Sequence, residues 1–110
     1  METIVQGDAF DLWEAWIDIE GTIGSHMLYV VGDVYTGTSK TVPVLKKKEM
    51  QGTIPSHLIL EVMPGLNALQ GRLTEVGYAE HIAHLNQYKQ ISICAGEKVI
   101  ARINTIEVVV

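Results

Sequence analysis

Apolar and polar residues alternate most regularly near the end of the sequence, on both sides of the segment Gly96-Glu97-Lys98. Such alternation around a glycine-containing break is typical of a β-hairpin. The pairing that keeps the apolar side chains on one face sets Ala95 opposite Val99 and Ile93 opposite Ala101. We therefore predict two antiparallel strands joined by a three-residue loop.

The alternation changes phase after this hairpin. Up to Ile103 the apolar residues occupy odd positions, whereas the next ones are Ile106, Val108 and Val110. One extra residue near positions 104–105, a β-bulge, would keep both halves of a single long strand facing the core. The sequence therefore predicts that the last strand is long and bulged.

A period of two also marks earlier segments. Between residues 10 and 20, one side of the predicted strand is apolar and comprises Trp13, Ala15, Ile17 and Ile19. The other side carries Glu14, Trp16, Asp18 and Glu20. A second long strand is predicted from Met27 to Tyr35, and we expect the two to form an antiparallel hairpin because the segment between them is short.

Three further strands are predicted in the middle of the chain. Residues 41–46 form a short edge strand, because Pro43 lacks the backbone N–H that an interior strand needs. Residues 57–63 are apolar at nearly every position, which favours a strand buried on both faces. Residues 70–79 form the third of these strands.

The segment from Tyr78 to Tyr88 has two interpretations. Tyr78, Ile82 and Leu85 fall at helical spacing, so a short helix over residues 78–88 is one alternative. The other, which we prefer, is a strand that ends in a turn.

Together these elements predict an all-β fold for a single domain spanning residues 1–110. About seven strands with turns every eight to twelve residues favour an antiparallel β-sandwich, immunoglobulin-like in architecture only. A small closed β-barrel is the alternative.

Charge and composition restrict the function classes. The chain has 8 basic and 13 acidic residues and a formal net charge of −5, which disfavours nucleic-acid binding because phosphate contacts need clustered lysine and arginine. The basic run Lys46-Lys47-Lys48 is expected in a solvated loop or at a strand edge.

Further features of the sequence bear on its compartment. Cys94 is the sole cysteine, so no intrachain disulfide forms. No secretion signal is visible, and no apolar run approaches the roughly 18 residues of a membrane-spanning helix. A cytoplasmic location is the default expectation, and an exported protein whose signal has been removed is the alternative, because its sequence would look the same.

Four polar residues form a candidate metal site: His57, Glu80, His81 and His84. If residues 80–84 were helical, Glu80, His81 and His84 would share about 100° of one helix face. In a strand, the two histidines of this segment would point to opposite faces. Zinc needs three or four ligands, so surface histidines without a metal are the preferred interpretation, and no cofactor is expected.

No catalytic residue is predicted. Cys94 lies among apolar neighbours in a predicted strand, where burial disfavours the thiolate that a nucleophile requires. The glycine motifs for phosphate binding and the G-x-S-x-G nucleophile motif are absent from the sequence.

The candidate interaction face comprises Trp16, Tyr29, Asp33 and Tyr35. Trp16 shares its side of a strand with acidic residues, and the two tyrosines flank Asp33 on the next strand. Aromatic rings beside carboxylates are suited to protein recognition. Covering of this face by a second sheet or a loop is the more common explanation, because large exposed aromatic patches are uncommon on monomers.

Three functions remain. We favour a non-catalytic interaction or assembly module that binds a protein partner or associates with itself. The first alternative is a small barrel that holds an apolar ligand. The second is a metal-binding protein that uses the histidine cluster.

Overall fold

The computed structural model describes residues 13–19, 26–37, 42–63 and 72–109. Within these ranges every regular element is a β-strand, and none is a helix long and apolar enough to cross a membrane. The strands are β1 (Trp13–Asp18), β2 (His26–Gly37), β3 (Val44–Lys47), β4 (His57–Met63), β5 (Arg72–Ile82), β6 (Gln90–Ala95), β7 (Lys98–Ile103) and β8 (Glu107–Val109). The predicted all-β class is confirmed, and the helix over residues 78–88 is wrong, because β5 continues to Ile82 and a turn follows.

The strands form two four-stranded sheets. The front sheet has the order β5-β2-β1-β8, and the back sheet has the order β3-β4-β6-β7. The sheets pack as a sandwich and are not joined into a closed barrel, so the barrel alternative is wrong. The alternative of an apolar ligand inside a barrel therefore lacks the closed barrel that it requires.

Both sheets are mixed rather than purely antiparallel. β1 and β8 run parallel, as do β4 and β6. The chain leaves the back sheet after β4, forms β5 in the front sheet and returns as β6 beside β4. Because side chains alternate with the same period in parallel and antiparallel strands, the sequence pattern did not distinguish the two.

The core lies between the inner faces of the two sheets. Its fully buried large side chains come from both: Leu28, Val30, Leu58, Leu60, Val62, Ile91 and Ile93. In β1 the odd residues Trp13, Ala15 and Ile17 are buried, as the alternation predicts. The even residues of β1 therefore lie on the outer face of the front sheet.

The hairpin of β6 and β7 confirms part of the predicted register. Ile93 lies opposite Ala101, but Cys94 then pairs with Val99, which leaves Ile100 as an extra residue. The loop has two residues, not three, and its first residue is Gly96 with φ of 65°. Glycine adopts this positive φ without steric cost, as the first position of a type II′ hairpin turn requires.

The bulge predicted near residues 104–105 is wrong. β7 ends at Ile103, and the chain crosses to the front sheet, where β8 pairs with β1. The change of apolar phase therefore marks a change of sheet. Val108 is 46% exposed, and Val110 lies outside the described residues.

Two other strand predictions are confirmed in outline. β3 is a short edge strand that follows Pro43. In β4, every second residue from Leu58 to Val62 is fully buried, while the alternate residues are half-buried, so the predicted burial on both faces holds for one face only. The outer side of this strand is partly covered by the loop after β3, in which Gly52 lies against Ile59.

Candidate protein interface

The four residues of the candidate interaction face lie on one surface of the molecule. Trp16 of β1 pairs with Tyr29 of β2, and Asp33 and Tyr35 follow at every second position of β2. All four are half-buried. We call this outer surface of the front sheet the aromatic face. The indole of Trp16 stacks on the ring of Tyr29, with centroids 5.6 Å apart and planes inclined by 27°.

The back sheet does not cover this surface. It packs against the opposite side of the front sheet, where Trp13, Ala15 and Ile17 are buried in the core. The sequence left two explanations for covering of the aromatic face, a second sheet or a loop. The fold does not show covering by the second sheet. The connecting segments 20–25 and 38–41 lie outside the described residues.

Carboxylates lie on the same face as the aromatic pair, and three of them flank Trp16. The register places five acidic residues on the aromatic face, namely Glu14, Asp18, Asp33, Glu75 and Glu107. Among the side chains described on this face there is no lysine or arginine, and His81 is the one basic group. The surface is therefore acidic around an aromatic centre.

Two of these acids face each other directly. Asp33 of β2 pairs with Glu75 of β5, and like charges opposite one another in a sheet are destabilising. Sequence reasoning missed Glu75, because no local signal sets the register between strands some 40 residues apart. The pair keeps two negative charges together at the surface.

A groove borders the aromatic face beside β1. β8 pairs with Trp16 through Asp18 only, so the first half of β1 has an open edge. The groove along that edge has a volume of about 440 Å³. Its lining residues are Trp13, Glu14, Ala15, Trp16, Ile103, Thr105, Glu107 and Val109. Aromatic surface and two carboxylates thus meet in one concave site.

The candidate metal residues are distributed over different surfaces. His57 lies on β4 in the back sheet, and Glu80 and His81 are neighbours on β5, so their side chains point to opposite faces. His84 lies in the exposed turn after β5, and the buried Nδ1 atom of His26, on β2, has no hydrogen-bond partner in the described structure. Within the described ranges, no three His, Cys, Asp or Glu side chains are arranged to hold a metal ion.

Glu80 belongs to a polar cluster between the sheets. Its carboxylate accepts hydrogen bonds from the hydroxyl groups of Tyr78, at 2.5 Å, and Tyr88, at 2.7 Å. Lys47 of β3 donates to the Tyr88 hydroxyl at 3.1 Å and lies 3.7 Å from the carboxylate. The cluster connects an edge strand of the back sheet to β5 of the front sheet.

The electrostatics of this cluster favour its protonated hydroxyl and ammonium groups. Burial raises the pKa of Tyr78 well above its ordinary value of 10.0, and the hydrogen bond to Glu80 adds to the effect. The hydrogen bond with Tyr88, together with the charge of Glu80, raises the pKa of Lys47. Four neighbouring polar groups are thereby satisfied, which is the pattern of a structural network.

A second polar contact lies on the outer face of the back sheet. Nε2 of His57 is 2.6 Å from Oγ of Ser92. The two residues are 35 positions apart, and the parallel pairing of β4 with β6 brings them together, which sequence inspection did not find. Ser92 is 3% exposed, so its hydroxyl is closed to a substrate. The contact fixes the two strands.

Cys94 is a buried thiol. Burial is the largest effect on this side chain and raises its pKa. The thiolate is therefore disfavoured at neutral pH. This environment is that of a structural cysteine.

Comparisons of the chain with protein-family models, curated proteins and solved structures found no match.

Proposed function

We propose that this chain is a non-catalytic interaction module whose aromatic face binds a basic segment of a partner protein. The observation that carries the proposal is the Trp16–Tyr29 stack. It lies half-exposed on the side of the front sheet that faces away from the core, and carboxylates flank Trp16.

The aromatic pair supplies the contact area. Tryptophan and tyrosine dominate the energetics of many interfaces, because they bury large rings and lose little conformational entropy. Stacking already restricts both rings before a partner arrives, which lowers the entropic cost of binding. A flat pair of rings on a sheet suits an extended peptide or the side chain of an arginine.

The acidic residues favour a partner segment with positive charge. Asp33 and Glu75 stand opposite each other, and a cation from the partner would relieve their repulsion. Glu14 and Glu107 line the groove beside Trp16. A guanidinium group there would lie near both carboxylates and the indole, which permits ion pairing and cation–π contact together.

The proposal is tested by titration with a synthetic peptide that carries arginine at every second position, with tryptophan fluorescence as the readout. A peptide with glutamate in place of arginine is the comparison. We expect binding of the arginine peptide only, and binding that weakens as salt is added. Equal binding of both peptides would contradict the proposal.

Substitutions locate the binding surface. Trp16→Ala is expected to weaken binding of the arginine peptide roughly thirtyfold, the effect of losing an interface anchor worth about 2 kcal/mol. Because this variant lacks the surface tryptophan that reports binding, its affinity is measured by calorimetry. Asp33→Asn is expected to weaken binding several-fold, while Glu97→Gln, in the exposed β6–β7 turn, serves as the control. Equal losses in these two acid variants would place binding elsewhere.

A further inference from the structure

Among the strands that the structure describes, three of the four sheet edges carry features that oppose strand addition. β3 has four residues, follows Pro43 and presents Lys46 and Lys47. β7 contains an extra residue at Ile100 and carries Lys98 and Arg102. β8 has three residues. Short length, proline, lysine and bulges are the means by which natural proteins protect their edges.

The fourth edge, β5, has fewer of these features: Arg72 lies at its first position, outside the segment 75–82, and Glu80 points inward. It has eleven residues and contains no proline and no lysine. The register shift in its pairing with β2 lies at Tyr35/Gly37, at the far end of the strand. In the described structure, the backbone of residues 75–82 makes hydrogen bonds only within the ladder with β2. Half of the backbone groups of an edge strand point away from its neighbour, so this edge is available for pairing.

We propose that β5 pairs in antiparallel fashion with β5 of a second copy of this chain, about a two-fold axis at Tyr78. In this register Glu75 lies opposite the partner's His81, and Gly77 lies opposite the partner's Ala79. Each pair occurs twice because of the symmetry. All four of these residues are exposed on the aromatic face.

The side chains on this edge complement their own symmetry mates. Glu75 has the like-charged Asp33 on one side, and the partner's His81 would supply an N–H donor on the other side. Glycine and alanine at the centre let the two strands approach without a steric conflict. Pairing of this kind is closed, because each copy uses the same edge and none remains for a third.

A dimer of this form extends the proposed binding surface. The two-fold axis is perpendicular to the front sheets, so both aromatic faces lie on the same side of one eight-stranded sheet, made from two four-stranded ones. The dimer is argued from the edge alone and does not depend on the binding of a basic partner.

Sedimentation velocity of the full chain, over a range of concentrations, tests the proposal. We expect a species of twice the 12.1 kDa mass of one chain. His81→Glu would place two carboxylates opposite each other at both ends of the pairing and raise the dimer dissociation constant roughly tenfold. Glu75→His combined with His81→Glu exchanges the two side chains and is expected to restore the dimer.

The matched control is His84→Glu, which makes the same chemical change at an exposed position beyond the end of β5. It should leave the dimer intact. A wild-type monomer at every concentration, an equal loss in both histidine variants, or no recovery in the double variant would each overturn the proposal.

Hydrogen exchange gives a second readout. Amides within residues 75–82 should exchange more slowly in concentrated than in dilute protein, and unchanged exchange would overturn the pairing. The two proposals fail separately. Trp16→Ala should weaken binding of the arginine peptide and retain the dimer, whereas a wild-type monomer that still binds the arginine peptide would contradict the dimer alone.

Discussion

At the scale of single residues, Gly32 has a packing role that composition alone does not suggest. It lies in the interior of β2, directly opposite Trp13 of β1. A Cβ atom at this position would overlap the six-membered ring of the Trp13 indole. Because Gly32 has no side chain, it leaves the space that the buried Trp13 ring occupies.

Gly32→Ala is expected to lower the free energy of unfolding by about 2 kcal/mol, the usual range for overpacking a core being about 1–3 kcal/mol. Urea denaturation measures the change. Gly77→Ala is the control, because a Cβ atom there has Val30 O at 3.8 Å as its nearest neighbour, an ordinary contact. Equal stability of the two variants would show that Trp13 moves at little cost.

The candidate interface shows which residue positions can be read from sequence. Trp16, Tyr29, Asp33 and Tyr35 were assigned to one surface because side chains alternate along each strand. Opposite pairs were not accessible in the same way, because Glu75 meets Asp33 only through the register of β5 with β2. Local periodicity therefore predicts the face of a residue and not its neighbour on the next strand.

At the scale of elements, one side chain continues the hydrogen bonding of β3 beyond the end of the strand. β3 stops at Lys47, and the backbone N–H of Lys48 still donates to the carbonyl group of Ile59 at 2.9 Å. The amide of Gln51 then donates to that carbonyl group at 2.8 Å and accepts from the N–H of Ile59 at 2.9 Å. Gln51 also donates to the carbonyl group of Lys48 at 2.7 Å. One side chain thus completes the edge of β4.

Gln51→Ala should destabilise the fold by about 1–3 kcal/mol, because the substitution leaves half-buried backbone groups of Ile59 and Lys48 without this partner. Chemical denaturation gives the value. Thr53→Ala, at an exposed position in the same loop, should change stability by less than about 0.5 kcal/mol. Similar effects of the two substitutions would mean that water replaces the Gln51 amide at no cost.

The strands themselves were largely predictable, and their connections were not. The β6–β7 hairpin was recognised from alternation, but the turn at Gly96 is one residue shorter than expected and Ile100 compensates for it. Because the loop has one residue fewer and the strand has one residue more, the alternation of apolar residues stays in phase. The passage from β7 to β8 was misread for a related reason, since a bulge and a change of sheet both invert the phase.

At the scale of the whole molecule, the two sheets are joined by more than their apolar faces. The cluster of Lys47, Tyr88 and Glu80 links β3 of the back sheet to β5 of the front sheet. The core is continuous and includes residues from both sheets. Within the described ranges, neither sheet has a second apolar layer of its own, so each depends on the other for burial.

This dependence predicts that the two sheets unfold together. Both tryptophans lie in β1 of the front sheet, so their fluorescence reports on that sheet, whereas circular dichroism reports on all strands. Leu60→Ala creates a cavity in β4 of the back sheet, where the side chain is 0% exposed, and is expected to cost about 2–5 kcal/mol. If unfolding is cooperative, the fluorescence and dichroism midpoints shift by the same amount.

Leu85→Ala makes the same substitution at a side chain that is 39% exposed, and its midpoints should stay near those of the wild type. A Leu60→Ala protein whose dichroism midpoint falls while its fluorescence midpoint does not would show that the back sheet unfolds alone. The aromatic face would then remain folded without the layer beneath it. Coincident shifts would instead show that the front sheet, including the Trp16–Tyr29 stack, is stabilised by packing in the back sheet. A loss of core volume in the back sheet then also destabilises the surface proposed to bind a partner.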